Sequence, residues 1–126
     1  MSILFRRIQP AQRFHINLRY IAHFLKIPLS AIVRVERWAY VLFVHRRDKG
    51  GQFISYRTLN RWTRTIARMI QTSPTLEDLM KLGYWIKQEA HTFKEKYPPT
   101  VLDYWRKLWA ERRDKLIHFA NAAWPK

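Results

Sequence analysis

Four arginines define the chemistry open to this chain. Arg57, Arg61, Arg64 and Arg68 recur at i, i+4, i+7 and i+11 within YRTLNRWTRTIARMI, Tyr56 to Ile70. At about 100° per residue they fall inside an arc of roughly 60° on a helix and form a single guanidinium stripe. A guanidinium stays charged and presents a planar fork of donors that matches phosphate oxygens two at a time, so the stripe is suited to anion binding rather than proton transfer. Leu59, Trp62, Ile66, Met69 and Ile70 share the segment. Helical periodicity centres them roughly 160° from the arginines, so one face needs a core while the other needs water or an anion. No carboxylate lies between Asp48 and Glu77, which leaves the stripe without an i,i+4 partner on its own helix. The plain alternative is a solvated basic face, and the charge elsewhere decides between the two.

That charge is lopsided. The 126 residues carry 24 Lys or Arg against 9 Asp or Glu, a net charge of +15. Residues 1–72 hold fourteen basic residues, twelve of them arginine, against Glu36 and Asp48 alone; residues 73–126 hold ten against seven. Nearly half the chain is apolar, so it is a folded domain and not a basic tail, and its surplus charge calls for an acidic partner. Nucleic acid is the expected one. The candidate phosphate contacts are the four stripe arginines, then Arg46, Arg47 and Lys49 beside the flexible Gly50-Gly51 pair, and Arg34, Arg37, Arg13 and Arg19, which fall outside the apolar stripes of their segments.

Positioning these side chains falls to helices, and the expected fold is an all-α compact bundle of about five helices in one basic domain spanning residues 1–126. Met1 to Gln9 reads as an unanchored or edge segment. Phe14, Leu18, Ile21 and Leu25 predict a first helix over Pro10 to Lys26, with Pro10 at its start. Ile32, Val35, Ala39, Leu42 and Phe43 predict a second, from Leu29 to about Arg47. Its rival is a hairpin joining Tyr40 to Val44 with Gln52 to Arg57, which would be marginal alone, and no third strand is apparent. The arginine-striped helix follows, with Ser55 as a candidate cap. A fourth runs from the Thr75/Asp78 capping pattern to about Lys96, weakened by Gly83. Beyond Tyr97-Pro98-Pro99 a last helix is opened by Thr100 and Asp103, carries Leu102, Trp105, Trp109, Leu116 and Phe119 as its core stripe, and pairs Asp103 with Lys107 and Glu111 with Lys115.

Little converges for catalysis. Absence of cysteine excludes disulfides, thiolate metal sites and a cysteine nucleophile, and fits a reducing compartment, the cytoplasm by default. The longest apolar run, Trp38 to Val44, is far short of the ~20 residues that span a bilayer. Of the five histidines only His91 forms a local pair with metal-ligand spacing, with Glu95, and such pairs are usually solvent contacts. No phosphate loop, GxSxG or HExxH is present, so the chain is expected to be non-enzymatic, with no cofactor and no metal. Among the tryptophans, Trp62, Trp105 and Trp109 fall on apolar stripes, leaving Trp85 and Trp124 as the candidates for a partner or a base.

Two resemblances sharpen the expectation. IAHFLKIPLSAIVRVER, Ile21 to Arg37, resembles a helix-turn-helix, with Ala22 at its small position, Ile27, Ile32 and Val35 at its apolar positions, and Lys26 where glycine is usual; base reading would then fall to Ser30 to Arg34. Over the whole chain, the small, cysteine-free, helical and strongly basic character resembles the small subunit of type I CRISPR Cascade effector complexes, the kind made separately from the helical carboxy-terminal part of a large subunit. That resemblance implies an antiviral ribonucleoprotein in which several copies steady the guide RNA–target DNA duplex and the displaced strand through backbone contacts beside other subunits. A ribosome-like structural RNA-binding protein would share the same features.

Overall fold

The computed structural model describes residues 2–123, with side chains through Phe119. Most of this span is helical, but a three-stranded antiparallel sheet makes the fold other than all-α. The chain forms two compact units: Arg7–Trp62, and the first six residues together with Thr63 onward.

The chain opens with a helix where an edge segment was expected. Ile3–Ile8 (α1) buries Leu4, Phe5 and Ile8, and the Ser2 hydroxyl caps it by accepting from the Phe5 N–H at 3.0 Å. The helix expected over Pro10 to Lys26 is broken in two, Pro10–Arg13 (α2) and Leu18–Leu25 (α3). Asn17 starts α3 by accepting from the Tyr20 N–H at 2.8 Å, a local bond that competes with helix continuation through His15 and Ile16. Lys26 ends it in the left-handed region, φ 58°, where glycine would be the easier residue.

The second predicted helix is instead the sheet. Ile32–Arg37 (β1), Val41–Arg46 (β2) and Gly50–Ser55 (β3) pair in the order β1-β2-β3. The hairpin alternative describes this segment, though its strands run Val41–Arg46 and Gly50–Ser55 rather than Tyr40 to Val44 and Gln52 to Arg57, and the third strand is β1, whose Ile32, Val33 and Val35 are β-branched. Register fixes the two faces. Leu42, Val44 and Ile54 turn inward and are buried, while Phe43 opposite Phe53 and His45 opposite Gly51 turn outward. Gly50, at φ 76°, closes the turn from β2 to β3 in a backbone conformation that needs glycine.

A short 3₁₀ turn, Tyr56–Thr58, leads into Asn60–Gln71 (α4), which begins in the first unit and continues in the second. Ser55 caps that turn, accepting from the Arg57 N–H at 3.2 Å, rather than α4 itself. In the second unit, α4 is joined by Leu76–Thr92 (α5) and Pro99–Ala123 (α6). Thr75 caps α5 as predicted, accepting from the Asp78 N–H at 3.1 Å. On α5, Leu79, Leu82 and Glu89 are buried, whereas Leu76 and Met80 are exposed. Three side chains of α6 fix this unit: Trp105 Nε1 donates to the Thr63 carbonyl at 3.1 Å, Trp109 Nε1 to the Leu79 carbonyl at 3.0 Å, and the Arg112 guanidinium twice to the Ser73 carbonyl, at 3.0 and 2.9 Å. The paired charges of α6 also differ from expectation, since Asp103 meets Arg106 at 2.8 Å and, among the described residues, Glu111 and Lys115 form no ion pair.

Gly83 now has a reason to be in α5. A Cβ there would sit 2.8 Å from Trp109 Nε1, the atom that donates to Leu79. Helix propensity alone would credit Gly83→Ala with up to about 1 kcal/mol, but overpacking against a fixed indole costs roughly 1–3 kcal/mol. The variant is therefore expected to be less stable than the parent, by about 1 kcal/mol, in a denaturant titration; a gain would mean that Trp109 is free to move.

Candidate nucleic-acid interface

The two faces of α4 are placed as the sequence periodicity predicts. Leu59, Trp62, Ile66 and Ile70 are fully buried and Met69 half-buried, whereas Arg64 and Arg68 are exposed. Among the described residues neither arginine makes an ion pair. Arg57 and Arg61 are half-buried over aromatic rings: the Arg57 guanidinium carbon is 5.6 Å from the Trp62 ring centre, and that of Arg61 is 5.2 Å from Tyr20. The ring quadrupole attracts such a cation and helps to hold it in place. Tyr20 also anchors the helix start, its hydroxyl accepting from the Arg61 N–H at 3.3 Å.

The other candidates divide by partner. Arg13, Arg19 and Lys49 are exposed and, among the described residues, make no ion pair. Arg46 is committed to structure: its side chain is only 7 % exposed, it grips Asp48 through two bonds of 2.9 Å, and it donates to Gln52 at 2.8 Å. That guanidinium holds the Asp48 carboxyl below the usual carboxylate range. Arg37 donates to the Phe14 carbonyl at 3.2 Å, Arg47 to that of Ser30 at 3.0 Å, and Arg34 meets Glu36 at 3.3 Å with its side chain largely exposed. Arg34 and Arg37 lie on a strand, so the second helix of a helix-turn-helix is absent and Ser30 to Arg34 cannot form a recognition helix.

His91 and Glu95 are both exposed and do not pair, and no cluster among the described residues is arranged to hold a metal. No helix among them is long and apolar enough to cross a membrane. Trp85 is half-buried, and Trp124 lies outside the described residues.

The outward sheet face was not foreseen. Trp38 stacks on Phe43 with ring centres 5.3 Å apart and planes 13° from parallel, and Phe53 meets both edge-on at 5.4 and 4.8 Å. His45 meets Phe43 edge-on at 4.5 Å. Glu36 gathers the polar atoms of this face. It accepts from Trp38 Nε1 at 3.1 Å, lies 2.5 Å from His45 Nε2, and has its carboxyl lowered chiefly by the Trp38 bond and then by His45. The signal was present as alternation, with Val41, Phe43 and His45 interleaving Leu42, Val44 and Arg46, but it shared its segment with a helical pattern. No family model, curated protein or solved structure matches this chain.

Proposed function

We propose that this chain is a non-catalytic subunit that binds nucleic acid through phosphate contacts, without sequence preference, within a larger ribonucleoprotein. The observation that carries the reading is Arg64 and Arg68, exposed opposite a fully buried stripe and unmatched by any carboxylate among the described residues, in a chain of net charge +15. Several of the few carboxylates are already engaged: Glu36, Asp48, Glu77, Asp103 and Asp114 in ion pairs, and Glu89 as acceptor for the buried Tyr97 hydroxyl. Assembly is supported by Met80, Tyr84, Tyr104 and Ile117, large apolar side chains exposed on α5 and α6. A Cascade small subunit is the narrower candidate; its helical bundle suits α4 to α6, and the sheet departs from it.

Fluorescence anisotropy on a panel of unrelated single strands and duplexes tests the proposal. Affinities within each class should agree to about tenfold at fixed salt, since phosphate contacts carry no sequence information. Discrimination of one duplex by ~10³ or more would instead identify a sequence-specific regulator.

A further inference from the structure

We infer that the outer face of the sheet is a base-stacking platform for single-stranded nucleic acid, with Trp38 and Phe53 as the rings that meet bases. The inference rests on the nucleic-acid reading above and adds a second kind of contact to it. Phe53 is 59 % exposed and Trp38 45 %, so two large rings of one cluster stand in water on a paired sheet.

The cluster is held in place before any ligand arrives. Trp38 is fixed by its N–H to the Val41 carbonyl at 3.0 Å, by its carbonyl accepting from the Tyr56 hydroxyl at 2.7 Å, and by its indole N–H to Glu36. Phe43 lies flat over the strand because Gly51 is beneath it: a Cβ at residue 51 would come within 2.3 Å of Phe43 Cζ. A base added to the Phe43–Trp38 stack extends an arrangement already formed, so little ordering entropy is lost on binding.

Charge selects the class of occupant. Residues 7–62 hold eleven basic residues against Glu36 and Asp48, a net of +9, and both carboxylates are already paired. Arg34 lies on the same face as Phe43, beside Glu36, and Lys49 stands exposed in the turn between β2 and β3. Exposed rings on a unit of this net charge suit a polyanion with open base faces. A duplex stacks its own bases and offers only their edges, which rings do not read.

The test compares two ligands of equal length and charge at one salt concentration: a 20-nucleotide thymidine strand and a 20-unit abasic strand. The full chain should bind the thymidine strand at least about tenfold more tightly, as expected when one or more bases stack. Trp38→Ala with Phe53→Ala should bring the two affinities to within about twofold by weakening only the thymidine complex. Phe53→Ala alone, at an exposed site, should narrow the gap, and Phe53→Tyr, which keeps a ring, should preserve it. Equal affinity of the parent chain for both strands overturns the platform while leaving phosphate binding intact, and is the result expected if a protein covers this face. Binding to neither strand overturns the proposed function itself.

Discussion

Trp62→Ala is expected to cost roughly 3–5 kcal/mol, the range for truncating a large buried aromatic side chain. Trp62 is fully buried, as are Leu59 and Ile66 on the same apolar stripe. Its removal opens a cavity and takes away the ring over which Arg57 lies. Against a total stability of about 5–15 kcal/mol, such a loss should lower the thermal midpoint by ~10 °C or more. Nucleic-acid binding should fall only in proportion to the unfolded fraction, so at low temperature the folded variant should bind like its parent. Circular dichroism melts with parallel binding measurements check this. A variant that melts like the parent but fails to bind would make Trp62 a contact residue and reverse the faces of α4.

The complementary variant changes Arg57, Arg61, Arg64 and Arg68 to glutamine. Arg64 and Arg68 are exposed and, among the described residues, without ion pairs, so each should alter stability by no more than about 0.5 kcal/mol. Arg57 and Arg61 each forfeit a ring contact, worth roughly 0.5–1 kcal/mol. The helical signal and a cooperative melt should survive. Binding should weaken on every sequence alike, because what is lost is contact with phosphate.

Both variants fall in the region most legible in the amino-acid sequence. The helix over α4 could be read because its apolar and basic positions have different phases at a 3.6-residue period, and the proline junctions at Pro74 and Pro98-Pro99 bounded its neighbours. The sheet was hidden because Ile32, Val35, Ala39, Leu42 and Phe43 also satisfy helical spacing, so the period-2 alternation of β2 had a competitor in the same residues. What tips the balance is non-local. A hairpin is marginal alone, and β1 makes it a three-stranded sheet through pairs such as Val35 with Val44. The aromatic face could not be read for the same reason, since Phe43 meets Phe53 only once the β2–β3 register is fixed. Periodicity also gave no sign of the grip of Arg46 on Asp48 and Gln52, which turns a candidate phosphate contact into a clamp on the turn.

Phosphate binding by the arginine stripe is the central claim, and the dependence of the binding constant on salt tests it most directly. For the parent chain on one unrelated duplex, log K should fall linearly with log salt, with a slope of about −0.9 for each phosphate neutralised. The four-glutamine variant should show a shallower slope, by up to roughly 3.6 if all four arginines meet phosphate. An affinity that stays flat as salt rises, or a variant whose slope equals the parent's, would contradict the account.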